Sequence, residues 1–180
     1  MKQDSHQLFL RRIQHNSSLL FLLCGAWLAG IASPAVAESI KDQKRAAKEL
    51  RCLALNIYFE ARGEPAAGQL AVALVTMNRM ENRHYPNSVC GVVWQKHQFS
   101  WTHDGKSDRP TDKRAWSLAR KIARFAYQRF DKLSALGRKA LDLTKGALHY
   151  YAPRLASPYW AKMHSVTRKI GGHIFLAGRS

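Results

Sequence analysis

The sequence predicts a single α+β domain that is mostly helical and ends in a small β hairpin. Apolar residues recur at helical spacing in three segments before residue 130. Two short strand-like segments then flank a Gly-Gly pair near the C-terminus, which is the spacing of a tight hairpin. The order of helices followed by strands is typical of the α+β class.

The first 37 residues have the features of a signal peptide. They begin with a basic region that contains Lys2, Arg11 and Arg12. An apolar run at residues 19–31 is too short to span a bilayer comfortably, and Ala35-Val36-Ala37 is an A-x-A cleavage motif. We therefore expect export to the periplasm or cell envelope, with residues 38–180 as the mature domain. The alternatives are an uncleaved anchor and a buried core helix.

The predicted mature domain is strongly basic. Its 143 residues include 26 Lys or Arg and 11 Asp or Glu, a net charge of +15. A charge this large on a small domain predicts a polyanionic partner. Behind a signal peptide we expect peptidoglycan, or an anionic wall or membrane surface, rather than nucleic acid. We expect the domain to be a monomer.

The first helix should end near Ala61, after a charged, solvated lead-in at residues 38–49. Its buried face is an apolar stripe at helical spacing: Leu50, Leu53, Ala54, Ile57 and Ala61. The pair Gly63 and Pro65 ends it.

Glu60 is the candidate catalytic acid. At about 100° per residue it falls roughly 80° from the centre of the apolar stripe, on its flank. A carboxylate there loses hydration, which raises its pKa and suits a general acid near neutral pH. The alternative is a surface glutamate paired with Arg62 or a lysine. Glu64 is either a second carboxylate or a cap for the next helix.

The second helix should be the central buried one. Pro65 suits its first turn, and residues 69–80 are apolar almost all round. Residues 88–94 fit a short helix or a strand equally well. Residues 98–105 mix aromatic and polar side chains and end at a turn signal, so they are predicted to form a site loop.

A third helix should run from an N-cap at Thr111 to about Phe130. Its inner face would carry apolar residues: Ala115, Leu118, Ala119, Ile122 and Ala126. Its outer face is basic, either merely solvated or a binding face: Lys113, Arg114, Arg120, Lys121 and Arg124. Residues 164–170 and 173–176 flank Gly171-Gly172 and predict the hairpin.

Cys52 and Cys90 are the two cysteines of the predicted mature domain, since Cys24 lies in the signal peptide. Two cysteines in an exported domain are expected to pair in an oxidising compartment. The bridge would join the first helix to the segment after the second.

Motifs in one order resemble the cell-wall hydrolases of the spore cortex-lytic enzyme (SleB) type, over about residues 50–176. The matching segments are Tyr58-Phe59-Glu60-Ala61-Arg62-Gly63-Glu64-Pro65, residues 68–73, Asn78-Arg79, residues 85–93, residues 98–101, residues 147–150 and residues 170–175. The resemblance implies a lysozyme-like catalytic domain acting on peptidoglycan, with Glu60 as the catalytic glutamate. Many exported members carry a further cysteine pair, and this chain has His97 and His103 in those places.

The expected reaction cleaves the glycan strand between N-acetylmuramic acid and N-acetylglucosamine. Such cleavage requires protonation of the leaving oxygen. A hydrolase adds a second carboxylate, for which Glu64 and Asp104 are available, whereas a lytic transglycosylase needs only one because the C6 hydroxyl of muramic acid attacks. We expect a lytic transglycosylase with no cofactor and no metal.

Candidate substrate-binding residues come from the aromatic loop and the C-terminal third: Gln98, Ser100, Trp101, Asp104, His149, Tyr150 and His173. Each could instead be a packing residue with a satisfied polar end.

Two other functions stay open. One is a zinc amidase that uses histidines such as His97 and His103, although no zinc-ligand motif is present. The other is a non-catalytic basic module that binds the wall.

Overall fold

The computed structural model describes residues 34–178. The chain divides into two compact units, Met1–Glu38 and Ser39–Ser180. The predicted signal peptide lies outside the described residues except for its last four, which are helical. Within the described part of the chain, no helix combines the length and apolar character that a membrane crossing requires.

The described residues of the unit Ser39–Ser180 form a mostly helical domain with a small antiparallel sheet near its C-terminal end. The α-helices are α1 Pro34–Ala61, α2 Ala66–Glu81, α3 Val89–Val93, α4 Lys113–Lys132 and α5 Ala135–Leu141. Short 3₁₀ helices cover Ser100–His103 and Tyr159–Met163, and the strands are β1 His149–Tyr151, β2 Val166–Ile170 and β3 His173–Leu176. The predicted α+β class is confirmed.

The core is built on the end of α1 and on α2. Leu53 and Ile57 of α1 and Met77 of α2 have no more than 1% of their surface exposed. The first helix ends at Ala61 as predicted, and the second is the buried central helix. Residues 38–49 are mostly exposed, also as predicted, but they continue α1 as regular helix instead of forming a separate lead-in.

The helix starts differ from the sequence prediction by one residue. Pro65 is the N-cap of α2 rather than part of its first turn. Asp112, not Thr111, caps α4, because its Oδ1 accepts hydrogen bonds from the amides of Arg114 and Ala115. The amides of Thr111 and Asp112 are themselves held by the hydroxyl of Tyr58, at 3.1 and 3.0 Å. These two bonds attach the start of α4 to α1.

The inner face of α4 is narrower than the apolar pattern predicts. The buried residues are the small ones, Ala119, Ala123 and Ala126, which let the helix pack closely on the core. Leu118 was expected on this face, but 38% of its surface is exposed. The basic residues predicted on the outer face are all exposed.

The sheet contains the predicted hairpin and one further strand. β2 and β3 pair antiparallel across Gly171-Gly172, and β1 pairs antiparallel with the other side of β3. Gly171 has a φ of +57°, a backbone conformation that favours glycine. The sequence predicted strand-like structure beyond Gly146 without giving bounds for β1, and it did not predict α5.

The predicted disulfide is confirmed: Cys52 and Cys90 are bridged, with their Cα atoms 5.2 Å apart. The bond joins α1 to α3 and closes a loop over 38 positions of sequence. The hydroxyl of Ser88 caps α3 by accepting a hydrogen bond from the amide of Gly91, so the segment 88–94 contains a helix rather than a strand.

We expect reduction of Cys52–Cys90 to destabilise the protein by about 2–4 kcal/mol, because the bond restricts the unfolded chain. Denaturant unfolding with and without reductant measures this, with a Cys52→Ala/Cys90→Ala variant as the second arm. Two free thiols titrated in the oxidised, exported protein would contradict the bridge.

Candidate active site

Glu60 lies at the end of α1 and faces the sheet. Its carboxylate Oε2 accepts a hydrogen bond from the hydroxyl of Tyr150 in β1, at 3.1 Å. Burial raises the pKa of Glu60 above its ordinary value, while the Tyr150 bond and the charge of Arg79 act in the opposite direction. The position on the flank of the apolar stripe therefore produces the desolvated carboxyl that the sequence predicts.

Tyr150 is the donor to Glu60 because it stays protonated. Burial, followed by the neighbouring Glu60 carboxylate, raises the pKa of Tyr150 well above its ordinary value. Its ring packs against those of His173 and Phe175 in β3, at centroid distances of 5.4 and 5.8 Å. The β1–β3 pairing therefore fixes the hydroxyl that meets Glu60.

Arg79 connects α2 to both sides of the site. Only 3% of the surface of Arg79 is exposed, and its Nε donates to the carbonyl of Leu148 at 2.7 Å. Gln98 accepts from both terminal nitrogens of Arg79, at 3.1 and 3.2 Å, when its amide oxygen faces the guanidinium. The guanidinium also lies over the rings of Tyr85 and Phe99. One buried charge thus holds the aromatic loop and β1 near Glu60.

Asn78 fixes the turn that leads into β1. Its side-chain nitrogen donates to Asp142 Oδ2 at 2.9 Å and to the carbonyl of Ala147 at 3.2 Å. Asp142 also accepts from the amides of Thr144 and Gly146. The segment before β1 is therefore tied to α2 by side-chain bonds, which sets the position of Tyr150.

The candidate residues of the aromatic loop, residues 98–105, differ in how far their side chains are exposed. Trp101 is only 7% exposed, stacks on Phe59 at 4.7 Å, and donates to the buried amide oxygen of Asn56 at 3.4 Å. Its environment fits the packing alternative rather than an open sugar platform. Ser100 is exposed, and so is Asp104, whose Oδ1 accepts from the amide of Lys106 within a turn.

His97 and His103 contact each other at the two places where family members carry a further cysteine pair. Their rings meet edge to face, with centroids 5.6 Å apart. An imidazole contact therefore connects the two positions in this chain. It is non-covalent, so it restrains the loop less than a disulfide would.

Glu64 is turned towards the hairpin. Its Oε2 accepts from the amide of Gly172 at 2.7 Å, and its Oε1 lies 3.9 Å from Nδ1 of His173. A Cβ at Gly171 or Gly172 would collide with this carboxylate, so both glycines make room for it. The N-cap position of α2 is Pro65, with no side-chain cap hydrogen bond, and the hydrogen bond of the Glu64 carboxylate is made to the hairpin. The carboxylate holds the β2–β3 turn instead.

The remaining candidate histidines lie on the sheet. His173 is 6% exposed, and burial lowers its pKa while the charge of Glu64 raises it. His149 packs on His164 at 4.4 Å and on Trp160 at 5.8 Å. Burial, with smaller contributions from Arg79 and His164, lowers the pKa of His149 to about 4. Both imidazoles are therefore neutral at pH 7.

The structure thus brings Glu60, Tyr150 and His173 together, with Gln98 joined to them through Arg79. Arg79, Asn78 and Asn56 received no role from the sequence. A signal was available, since Asn78-Arg79 puts an amide and a charge into an otherwise apolar helix, where buried polar groups need partners. Among the described residues, no three His, Cys, Asp or Glu side chains are grouped so that they could hold a metal ion.

The cell wall hydrolase family model matches residues 63–176 of this chain. The chain belongs to the cell wall hydrolase family. Glu60 lies three positions before the matched range, so its role depends on the geometry above and on the motif around it.

Two curated relatives are spore cortex-lytic enzymes. That of Bacillus subtilis (strain 168) is 34% identical over 127 residues, which is 71% of this chain and 37% of the relative. That of Bacillus cereus is 32% identical over 130 residues, 71% of this chain and 43% of the relative. The match therefore spans about two fifths of the length of these relatives.

Two solved structures share the fold of this cell wall hydrolase. The catalytic domain of the Bacillus cereus SleB protein has a TM-score of 0.56 and 31% identity, covering 72% of this chain and 90% of that one. The catalytic domain of the germination-specific lytic transglycosylase SleB from Bacillus anthracis has the same TM-score and identity, covering 71% and 93%. The match to whole catalytic domains confirms the predicted family resemblance.

We expect Tyr150→Phe to change the pH profile of the reaction. Loss of the hydroxyl removes a bond that favours the Glu60 carboxylate, so the pKa of Glu60 should rise further. Activity that needs protonated Glu60 is lost as pH rises through that pKa, so the descending limb of kcat/KM should move to higher pH. The maximum should fall about 10- to 100-fold, because the charged group loses its donor.

The matched control is Tyr151→Phe, since the Tyr151 ring packs on Trp160. It should leave the limb in place. An unchanged limb in Tyr150→Phe would show that this hydrogen bond does not act on the titrating group.

His149 should make the protein less stable in acid. Its pKa is lowered from 6.5 to about 4 in the folded protein, so the unfolded chain binds the proton first as pH falls. Its contribution is therefore intact above pH 6.5 and is lost progressively towards pH 4. After allowance for solvent screening of a half-buried group, the loss is about 1–2 kcal/mol.

Urea unfolding of wild type and His149→Gln at pH 7 and pH 4.5 measures this effect. The variant should lose less stability between the two pH values, whatever its absolute stability. His84→Gln, at an exposed position, is the control. Equal losses in wild type and His149→Gln would contradict the assignment.

Proposed function

We propose that the protein degrades peptidoglycan in the cell envelope, by cleaving the glycan strand between N-acetylmuramic acid and N-acetylglucosamine as a lytic transglycosylase. Export by the segment 1–37 is part of this proposal. Family membership supports peptidoglycan as the substrate, and one structural neighbour is itself described as a lytic transglycosylase. The observation that carries the proposal is the desolvated Glu60 carboxyl bonded to Tyr150.

Glu60 would act first as an acid and then as a base. The raised pKa favours the protonated form of Glu60, and its proton passes to the glycosidic oxygen as the bond to C1 of muramic acid breaks. The resulting Glu60 carboxylate then accepts the proton of the C6 hydroxyl, whose oxygen bonds to C1. The products are a 1,6-anhydro-muramic end and a free hydroxyl on the leaving sugar, and Glu60 is protonated again.

Tyr150 and Arg79 would stabilise the intermediate state of Glu60. The Tyr150 hydroxyl already donates to the carboxylate, and the charge of Arg79 favours the ionised form. Both groups are held by the protein before substrate arrives, so they need little reorganisation when charge develops. They also oppose burial, which raises the pKa of Glu60.

The environments of the other two candidate carboxylates favour a single-glutamate mechanism. Glu64 is bonded to the Gly172 amide and lies near His173. Asp104 is in an exposed turn and accepts from Lys106. A nucleophile or base must be positioned at the sugar, and these two side chains instead hold turns of the fold.

We expect Glu60→Gln to fold normally and to lose at least about 1,000-fold in turnover, because the amide cannot donate a proton to the leaving oxygen. Glu64→Gln is the matched control and should keep turnover within about tenfold of wild type, because an amide oxygen can still accept from Gly172. Digests of purified sacculi followed by mass analysis of muropeptides give both rates. Thermal unfolding of each variant verifies folding.

The same digests identify the reaction. Products ending in 1,6-anhydro-muramic acid support the proposed transglycosylation, whereas reducing ends would show that water completes the reaction. A dead Glu64→Gln with an active Glu60→Gln would transfer the catalytic role to Glu64. Cleaved stem peptides with intact glycan would replace the proposal with an amidase or peptidase activity.

A further inference from the structure

The outer side of α4 carries an apolar strip beside a basic strip. At about 100° per residue, Leu118, Ile122 and Phe125 lie within about 60° of one another on the helix surface. Half of the surface of Phe125 is exposed, as is 38% of that of Leu118. Ile122 is partly buried and packs against the core beside the small alanines of α4. Leu118 and Phe125 therefore form the exposed part of the strip.

The apolar strip continues into an open groove beside α4. The groove has a volume of about 370 Å³ and is lined by the start of α2, by Ile122 and Phe125, and by the exposed Leu143. Lys121 is the charged residue in its lining. The surface is thus apolar at its centre and cationic at its edge.

The charged residues beside the groove on α4 are basic. Helix α4 contains seven Lys or Arg and one acidic residue, Asp131. Arg114 and Lys121 lie on the flank of the apolar strip, with Arg124 one step further round, and all three are exposed. Two copies of the chain that met through this face would bring like charges together, which disfavours a dimer here.

We propose that this face, formed by Leu118, Ile122, Phe125, Arg114, Lys121 and Arg124, docks the protein on an anionic phospholipid bilayer. An amphipathic helix that binds in a membrane interface has aromatic and aliphatic residues on one side and Lys or Arg beside them. The headgroups supply the negative charge that the basic strip requires, and the acyl region accepts Leu118 and Phe125. Wall polymers supply negative charge but no apolar phase that could accept Leu118 and Phe125.

The test measures co-sedimentation with vesicles of 30% phosphatidylglycerol in phosphatidylcholine, and with phosphatidylcholine alone. The protein used in this test starts at residue 38 and therefore includes the whole compact unit Ser39–Ser180. We expect binding to the anionic vesicles only. Arg114→Gln/Lys121→Gln/Arg124→Gln should weaken it about 100-fold, and Leu118→Ser/Phe125→Ser about tenfold or more.

Two control variants make the same chemical changes elsewhere. Lys96→Gln/Lys106→Gln/Lys169→Gln removes three exposed charges, and Leu136→Ser/Leu155→Ser removes two strongly exposed leucines. Both should leave binding to the α4 face largely intact. Turnover of short soluble glycan fragments should stay at wild-type level in every variant, since none touches the Glu60 site.

Three results would overturn the proposal. If the controls weaken vesicle binding as much as the α4 variants do, the binding is diffuse charge attraction. If lipid-free sacculi bind the protein with the same dependence on Leu118 and Phe125, the face belongs to the wall. If sedimentation velocity shows a dimer that Leu118→Ser/Phe125→Ser abolishes, a second copy covers the groove.

Discussion

The buried guanidinium of Arg79 is the interaction on which the site depends. A charge removed from water must be matched by acceptors or opposite charge. Here the carbonyl of Leu148, the amide of Gln98 and the nearby Glu60 meet that requirement, each from a different part of the chain. The need to satisfy one cation therefore brings the aromatic loop, β1 and the end of α1 to the same place. The same cation limits how far burial raises the pKa of Glu60.

Local sequence patterns were sufficient to predict the helices and the hairpin that depend on neighbouring residues. The apolar period located α1 and α2, and Gly171-Gly172 located the hairpin, because a tight turn needs residues that accept positive φ. Helix α5 was missed because its leucines, Leu136 and Leu141, are exposed and leave no buried stripe. The bounds of strand β1 were missed because it is three residues long and exists through pairing with β3.

The sequence located the desolvated carboxyl of the site but not its surroundings. Glu60 could be found from the edge of one helix, since its desolvation follows from the stripe itself. Its bond to Tyr150 spans 90 positions of sequence, and no local rule gives that partner. Trp101 shows the reverse case. The aromatic loop suggested either a sugar platform or a core tryptophan, and the ring lies stacked on Phe59 with 7% of its surface exposed.

Glu60 and Glu64 are four positions apart in the sequence, yet their carboxyl groups lie in different environments. A continued helix would place both carboxylates on one face, where mutual repulsion would couple their titrations. The break at Gly63 and Pro65 ends α1 and turns Glu64 towards the Gly172 amide, leaving Glu60 with a tyrosine and a buried cation. Like carboxyl groups acquire different roles when their environments differ. Here the helix end creates that difference, so the fold gives the two carboxyl groups different environments before any substrate binds.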